Sequence, residues 1–343
     1  MSELLTERQK DVLKYIIQSF ILTATPVSSR YISKRTKLGL SPATIRSVMA
    51  DLEEQGYISH PHISAGRIPT DKGYRFYVGG LMGFERLSHK EQENIHKNLE
   101  GIKETEDLLK ETSKLVSRIS KQLSIVSSPH LRTGILHALE IIQLSSNRLL
   151  IVLSIQSGFV KTITIEVLTE IPRSKLEDIS RFLNERLSGL TLDEIKDTFY
   201  DRIKDVENEE TGLIRLFIGN SDKLFSEYYP KDRLHISGTK NILSQPEFES
   251  AEQIRSVIEL IDSEDIIIHL LDKYEDKAGD EGITILIGSE SHIEKLQNYS
   301  MIISSYKIGE TKGTIGVIGP KRMHYNRVIP LVSYVADVLS SKH

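Results

Sequence analysis

The dipeptide Ser41-Pro42 fixes the start of one helix and thereby organises the first eighty residues. A serine hydroxyl can accept a hydrogen bond from a first-turn N–H, and a proline at the first helical position loses nothing, because that N–H has no helical partner. Positions 45, 48, 49 and 52 are apolar, which is the spacing of one buried helix face. With Gly56 as the stop, the sequence predicts an amphipathic helix from Pro42 to about Gln55.

Two further helix signals precede this helix, and two β segments follow it. Residues 6–9 form a capping-box pattern that opens a helix ending before Pro26. A serine cap just after this proline opens a second, shorter helix. Residues 57–60 and 67–69 have the character of short strands joined by a glycine-containing turn. Three helices and a hairpin make a winged helix-turn-helix, which we expect over residues 1–80.

The charge distribution indicates a polyanionic partner. The whole chain carries 44 Lys+Arg and 48 Asp+Glu, a formal net charge of −4. The first 80 residues, however, hold eleven bases and seven acids, and residues 12–50 hold six bases and no acid. A local positive field on an acidic chain is typical of nucleic-acid binding. A chance cluster on a solvated face gives the same count, so charge alone leaves both interpretations open.

The outer face of the predicted third helix suits the major groove of DNA. Opposite its apolar stripe lie small side chains, with hydroxyl residues and one guanidinium beside them. Small side chains allow close approach, and an arginine can bind guanine through two hydrogen bonds. A plain amphipathic helix with a small exposed face is the alternative. The candidate DNA-binding residues are Arg30, Lys34, Arg35, Ser41, Ala43, Thr44, Arg46, Ser47, His62, Ser64 and Arg67.

The last three of these candidates lie in the predicted hairpin, where they suit contacts with phosphates or the minor groove. His60 and His62 could instead form a metal pair, but no cysteine or carboxylate ligand is near them in sequence. The chain contains no cysteine, which excludes disulfides, thiolate nucleophiles and cysteine-ligated metals. We therefore expect no metal site and no cofactor.

Several stretches closely resemble the HrcA family of heat-inducible transcription repressors. They are LSPATIR at 40–46, MADLE at 49–53, SAGRIPTDKGYRFYV at 64–78 and, near the other end, residues 313–325 with GVIGP at 316–320. Ile63 and Gly79 depart from the family pattern. The resemblance implies a repressor that binds double-stranded DNA at an inverted-repeat, CIRCE-type operator ahead of chaperone operons. It also implies a homodimer and a GroEL-type chaperonin as modulator of its activity.

Beyond residue 80 the sequence predicts a mixture of helices and antiparallel strands. Glycines at 79, 80 and 83 indicate a hinge or linker. A long polar helical stretch follows from residue 88, and its sparse apolar stripe favours packing on its own domain over a coiled coil. Alternation within 139–167 predicts three half-buried strands. Further strands between 283 and 318 and a closing helix to about residue 339 are expected.

These elements predict an α+β fold class with three domains. We expect the winged helix-turn-helix at 1–80, a discontinuous antiparallel-sheet domain at 88–189 and 282–340, and a mainly helical insertion at 190–281. The resemblance implies that the discontinuous domain is GAF-like and that the insertion carries dimerisation. The first residues lack the layout of a signal peptide and no run of 18 apolar residues occurs, so a cytoplasmic location without a membrane segment is expected.

The sequence contains no catalytic constellation. Phosphate-binding, nucleophile-elbow and zinc-protease motifs are absent. Glycines at 313, 316 and 319 are interpreted as strand and turn glycines. Residues 288–292 place Ser, Glu and His side by side, but triad partners usually come from separate elements. We interpret this segment as a strand-end turn in which Ser291 caps a helix, and we expect the protein not to be an enzyme.

Two other functions remain open beside the repressor. Arg322, Tyr325 and Arg327 cluster near a predicted helix start, where they either brace the domain or contact a regulatory ligand. The first alternative is therefore a winged-helix regulator whose GAF-like domain binds a small-molecule effector. The second is an enzyme with an appended DNA-binding module, which the absence of nucleophile and metal constellations disfavours.

Overall fold

The computed structural model describes residues 5–36, 38–61, 66–168, 170–206, 212–225, 233–275 and 282–341. The helices are α1 (Glu7–Thr23), α2 (Ser29–Arg35), α3 (Pro42–Glu54), α4 (Asp71–Phe76), α5 (His89–Leu99), α6 (Thr105–Ser120), α7 (Arg173–Leu187), α8 (Leu192–Ile203), α9 (Leu213–Gly219), α10 (Ser221–Phe225), α11 (Thr239–Leu243), α12 (Ala251–Asp262), α13 (Glu264–Glu275) and α14 (Tyr325–Ser340). The strands are β1 (Ile58–Ser59), β2 (Ile68–Pro69), β3 (Leu123–Ser127), β4 (Leu136–Ser145), β5 (Arg148–Ile155), β6 (Val160–Glu166), β7 (Leu234–Ser237), β8 (Ile283–Ile287), β9 (Tyr299–Ile308) and β10 (Thr311–Pro320).

The N-terminal unit, residues 5–81, consists of α1 to α3, the antiparallel pair β1–β2 and α4. The predicted caps are present: Thr6 and Gln9 form a capping box, and the hydroxyls of Ser28 and Ser41 accept first-turn N–H groups of α2 and α3. Each cap satisfies a backbone donor that the helix itself cannot pair. The predicted order of three helices and a hairpin is confirmed.

The connection out of the N-terminal unit is helical. After α4 the chain continues as a π-helical turn, Tyr77–Leu81, which contains both glycines at 79–80. The predicted hinge or linker is therefore wrong at residues 79–80, which are helical, whereas Gly83 lies in the irregular connecting segment 82–88. The reason is packing: Tyr74 and Tyr77 are only 2% and 3% exposed, and their burial holds the segment helical although glycine is a poor helix former.

The central unit is built on a five-stranded antiparallel sheet in the order β7-β3-β10-β9-β8. The sheet is covered by helices on both faces. Ile302 and Val317 pack into the cluster formed with α6 and α14, whereas Ile303 and Ile318, their neighbours in sequence, pack with α12 and α13. Continuous apolar runs are typical of strands buried on both sides.

The lateral unit, residues 135–225, is inserted between β3 and β7. It holds a separate three-stranded sheet, β4-β5-β6, with α7 packed on one face and α8 to α10 beside it. The strands at 139–167 are confirmed, but the expectation that they share one sheet with the strands after residue 283 is wrong. Alternation predicts half-burial and does not predict which sheet a strand joins. The predicted domain boundary at residue 190 falls between α7 and α8, inside this unit.

The helical stretch expected after residue 88 is divided into α5 and α6, which pack on each other. Its apolar stripe is buried within the chain, since Ile95, Leu99, Leu108 and Leu115 are all at most 2% exposed. The expected packing on its own domain is confirmed. Among the described residues, every helix is too short or too polar to cross a bilayer.

Candidate nucleic-acid interface

Helix α3 has one buried and one exposed face, as its sequence predicts. Its apolar stripe faces inward: Ile45, Val48, Met49 and Leu52 are 7% exposed or less. The other face carries Ala43, Arg46, Ser47 and Ala50, all of them exposed. This outer face is small and polar and bears one guanidinium, so it can approach the edges of base pairs closely.

The hydroxyl residues at the start of α3 are partly used for capping. The Ser41 Oγ accepts the backbone N–H of Thr44 at 3.1 Å and lies 2.9 Å from the Thr44 hydroxyl. Ser41 is exposed and Thr44 is half-buried. These hydroxyls therefore order the first turn, and the backbone N–H groups there present the positive end of the helix dipole outward.

The basic candidates on α2 and α3 are available to an outside partner. Arg30, Lys34 and Arg46 are exposed and, within the part of the chain that the structure describes, form no ion pair or hydrogen bond. Arg35 lies over the Tyr31 ring, with its guanidinium carbon 5.2 Å from the ring centre, a contact that orients the side chain and keeps its charge. Unpaired bases on adjacent helices are suited to phosphates.

The hairpin differs from this pattern. His62 and Ser64 lie outside the described residues. Arg67 is half-buried, and its Nη2 donates to Glu53 of α3 at 2.7 Å. Its backbone forms an antiparallel bridge with Val27, and Gly66 passes so close to residues 26–27 that a Cβ there would collide with their backbone. Arg67 thus anchors the base of the wing in this structure, and a contact to DNA remains a prediction.

Glu53 joins α3 to both strands of the β1–β2 pair. One carboxylate oxygen is hydrogen-bonded to His60 Nδ1, after β1, and the other to Arg67, before β2. Burial alone raises the pKa of Glu53, but the hydrogen bonds and charges of His60 and Arg67 outweigh it, and the pKa lies below its ordinary value. The sequence analysis assigned no carboxylate to His60, although Glu53 lies only seven residues before it; the turn between α3 and β1 brings the two side chains together.

The other motifs have structural roles. Glycines 313, 316 and 319 lie within β10, as interpreted. Residues Gly288–Ser291 form a 3-10 turn in which the Ser291 hydroxyl bonds within the turn and with Ile293, so the expected helix cap is wrong. Within the described residues, no three His, Asp or Glu side chains are placed to hold a metal ion.

The cluster at the start of α14 braces the central unit, which supports the first of its two interpretations. Tyr325 is fully buried, and its hydroxyl bonds to the Lys321 carbonyl and to the Ser300 hydroxyl, each at 2.7 Å. Arg327 is ion-paired with Glu91 at 2.6 Å. Burial is the main reason that the pKa of Tyr325 is strongly raised, and the phenol stays neutral.

Comparison with family models defines the class of the protein first. Residues 1–65 match the model described as the LexA DNA binding domain. This match covers α1 to α3 and agrees with the helix-turn-helix geometry, so the N-terminal unit is a DNA-binding domain and the chain belongs to the helix-turn-helix class of DNA-binding proteins.

The particular family follows from the rest of the chain. Residues 106–329 match the model described as the HrcA protein C terminal domain. The heat-inducible transcription repressors HrcA of Chlorobaculum parvum and Chlorobium phaeobacteroides are 44% and 41% identical to it, in each case over 98% of this chain and 97% of theirs. The chain belongs to the HrcA family of heat-inducible, DNA-binding transcription repressors. A crystal structure described as a hypothetical protein at 2.2 Å resolution is similar over 98% of both chains, with a TM-score of 0.59 and 26% identity.

Proposed function

We propose that this repressor binds, as a dimer, an inverted-repeat operator of the CIRCE type ahead of chaperone operons. In each half-site the N-terminal part of α3 enters the major groove. The observation that carries this proposal is the outer face of α3, where one exposed arginine, without an ion pair or hydrogen bond among the described residues, lies among small side chains. The acids of this helix, at 51, 53 and 54, lie at its other end, away from the phosphates if the N-terminus leads.

The candidate residues divide into two roles. Arg46 and Ser47, with Ala43 and Thr44, are placed to contact base edges, and Arg46 is the one that can select guanine. Arg30, Lys34 and Arg35 on α2, with Ser41 at the α3 cap, are placed to contact phosphates and to set the position of the domain on the duplex. His62 and Ser64 are proposed wing contacts, and Arg67 supports the wing.

Dimerisation, expected of the insertion at 190–281, is proposed instead to use the lateral unit at 135–225, which contains only the first part of that insertion. The face of its sheet opposite α7 is open: Ile142, Leu144 and Val160 are 43%, 52% and 60% exposed, and Leu150 and Val152 between them are half-buried. Exposed apolar residues on one sheet face are typical of a protein–protein interface. A second copy would cover this face, and a two-fold dimer would match the two-fold symmetry of an inverted repeat.

The five-stranded sheet with its helices is proposed to be the GAF-like domain, and a GroEL-type chaperonin is the proposed modulator. Heat-unfolded proteins would occupy the chaperonin, the repressor would lose folding assistance, and the operator would be released. A repressor near its stability threshold suits this mechanism, because a change of about 1–2 kcal/mol alters its folded fraction several-fold. The relatives' description as heat-inducible supports a thermal response.

A second candidate function is regulation by a small molecule. A cavity of about 720 Å³ lies between α1 of the N-terminal unit and the start of α14, and Gln18, Gln122, Arg322 and Arg327 are among its lining residues. Its volume suits a small effector. An effector in this cavity would raise the melting temperature of the purified repressor and change its operator affinity without chaperonin, whereas chaperonin dependence without such a shift favours the first proposal.

A gel-shift titration tests the leading proposal. The full chain is titrated onto a duplex with the inverted repeat and onto the same duplex with scrambled half-sites, each with and without chaperonin. Preferential binding of the inverted repeat, enhanced by chaperonin, is expected. Equal binding of the two duplexes at moderate ionic strength would contradict the operator assignment. Preferential binding of the inverted repeat without any effect of chaperonin would contradict only the proposed role of the chaperonin as modulator.

A further inference from the structure

The two ends of the chain meet at a polar contact between the N-terminal and central units. Asp71, at the start of α4, accepts a hydrogen bond from Lys321 Nζ at 2.7 Å. The other Asp71 oxygen accepts the backbone N–H and the hydroxyl of Ser289, at 3.1 and 3.2 Å. Gly288 has φ +55°, and a Cβ there would collide with the Asp71 carboxylate, so the turn after β8 is shaped to receive this side chain.

Arg75, one helical turn further along α4, makes a second contact. Its Nε donates to Glu290 Oε1 at 2.7 Å and its Nη2 to the Ile285 carbonyl at 2.6 Å, and the guanidinium also pairs with the second Glu290 oxygen. Glu290 is itself oriented by the Ile287 N–H at 2.8 Å. A bidentate pair with an oriented carboxylate restricts both distance and direction.

Arg322 makes a third contact, to α1. Its Nη1 donates to the Ile21 carbonyl at 3.0 Å, and its Nε and Nη2 bind the carboxylate of Glu247. Ile21 lies in the last turn of α1, where carbonyls have no helical partner and no basic residue of the helix is present. Arg322 thus caps α1 from the central unit, and its charge complements the helix dipole.

The segment that joins the two units is also held in place. Beyond the π turn, Glu85 is bound to Asn326 of α14 through its backbone N–H, at 2.9 Å, and through its side chain, at 2.6 Å. The N-terminal unit is therefore attached at several separate points. We name Asp71, Arg75, Lys321 and Arg322, with their partners, the seam lock.

We propose that the seam lock determines which spacing between operator half-sites the dimer accepts. The inference rests on the proposed dimeric operator binding. When the contacts of the seam lock are formed, the central and lateral units determine the distance and the rotation between the two α3 helices of a dimer. A rigid connection penalises any spacing but one, whereas a loose tether lets each DNA-binding domain find its half-site at many spacings.

The test compares operator duplexes that differ only in the number of base pairs between half-sites. An insertion of five base pairs turns one half-site to the opposite face of the duplex, since the helix repeats about every 10.5 base pairs. For the wild-type chain we expect this insertion to lower affinity by at least about tenfold. For Arg75→Ala and Asp71→Asn the loss is expected to shrink to less than about threefold, while affinity for an isolated half-site is unchanged.

Lys72→Ala is the matched control. Lys72 lies on α4 between the two lock residues and carries the same charge as Arg75, but its Nζ donates to the Gln55 carbonyl at 2.7 Å and lies 4.3 Å from the Tyr57 ring centre, both within the N-terminal unit. This variant should keep the wild-type spacing preference. A loss of preference in Lys72→Ala equal to that in Arg75→Ala would overturn the proposal, because the effect would then follow charge rather than the lock.

A distance measurement checks the proposal without DNA. Since the chain has no cysteine, Glu54→Cys at the exposed end of α3 provides one spin-label site per protomer. In the otherwise wild-type dimer we expect a narrow distance distribution between the two labels, and with Arg75→Ala or Asp71→Asn added a broad one. Far-ultraviolet circular dichroism verifies that each variant is folded. If Arg75→Ala does not fold, the isosteric variant Asp71→Asn provides the test.

The outcomes separate this inference from the function on which it rests. If the wild-type chain shows no preference for the inverted repeat, the proposed function is wrong. If it prefers the repeat but accepts all spacings equally, or if folded lock variants keep its spacing profile and its narrow label distance, the proposed function stands and the seam lock does not determine spacing.

Discussion

Two sets of basic side chains, one on the N-terminal unit and one at its seam with the central unit, have opposite environments. One set lies on the outer surface of α2 and α3, exposed and unpaired among the described residues; it consists of Arg30, Lys34 and Arg46. The other set lies at the seam with the central unit, and each member is paired with a carboxylate; it consists of Arg75, Lys321 and Arg322. An unpaired base is available to an outside anion, whereas a paired base positions the element that carries it.

Because of this difference, we expect substitutions in the two sets to change different measured properties. Removal of an outer base changes DNA binding and leaves the fold intact, because an exposed side chain contributes little to stability. Removal of a seam base leaves a half-buried carboxylate without its partner and therefore lowers stability or loosens the DNA-binding domain. Substitutions at the two surfaces can test this division directly.

The largest effect is expected for Arg322→Ala. Its side chain is 11% exposed, and its loss removes the cap of α1 and leaves Glu247 unpaired, so we expect the free energy of unfolding to fall by about 3 kcal/mol. Urea denaturation followed by circular dichroism measures this change. Arg327→Ala is the control, because its ion pair with Glu91 is half-exposed and worth less than about 1 kcal/mol. Equal decreases of the free energy of unfolding in the two variants would contradict the distinction between ion pairs at the seam and ion pairs at the surface.

Arg46→Ala should weaken operator binding by about 1–3 kcal/mol, because a base contact is lost, and should leave the melting temperature unchanged. Fluorescence anisotropy with operator and scrambled duplexes measures the specific part of the affinity. The role of Arg46 in base reading would be excluded if the ratio of the two affinities stayed at its wild-type value.

Glu53→Gln separates positioning from electrostatics by the sign of its effect. The substitution removes a negative charge from the DNA-binding domain, which by itself reduces repulsion of the phosphates and tightens binding. If Glu53 instead holds the wing against α3 through His60 and Arg67, operator affinity should fall by about 1 kcal/mol, roughly fivefold. Glu54→Gln, with an exposed side chain next to it, is the control for charge alone. Tighter operator binding by Glu53→Gln would show that the position of the wing does not depend on this residue.

Lys34→Ala should lower the affinity for operator and scrambled duplex alike, and reduce the slope of log affinity against log salt by about 1, because one phosphate contact is lost. Titrations at several salt concentrations measure the slope. A loss restricted to one operator base pair would contradict a phosphate contact.

The smallest effect concerns pH at the seam. Burial raises the pKa of Asp71, but hydrogen bonds from Lys321 and Ser289 outweigh it and hold the pKa below the ordinary 3.8. A lowered carboxyl pKa stabilises the fold above the ordinary pKa, and this stabilisation is lost as pH falls through the lowered one. The stability difference between wild type and Asp71→Asn should therefore be constant above pH about 5 and shrink below about 3.8. A difference that grows on acidification would contradict the ion pair.

The outer surface could be predicted from sequence because its determinants are local. Ser41 and Pro42 start α3, and the spacing of Ile45 and Leu52 fixes which side is buried, so the identity of the exposed residues follows. The conformation of this segment depends little on the rest of the chain. The same reasoning predicted the strands of the lateral unit from their alternation.

The seam could not be predicted because its determinants are separated by more than 200 residues. Nothing in the sequence near Arg75 indicates Glu290, and nothing near Arg322 indicates the Ile21 carbonyl. The glycines at 79–80 were misinterpreted for the same reason, since the burial of Tyr77 that keeps them helical is tertiary. Strand β3 was likewise not predicted, because its partners β10 and β7 lie far along the chain.

Methylation interference on the operator tests whether α3 lies in the major groove. Methyl groups at guanine N7 lie in the major groove and those at adenine N3 in the minor groove, so the pattern of blocked positions reports which groove α3 occupies. We expect methylation of guanine N7 within each half-site to prevent binding by the wild-type chain, and we expect Arg46→Ala to lose sensitivity at one such guanine. Interference confined to adenine N3, with guanine N7 methylation tolerated throughout, would contradict this position of α3.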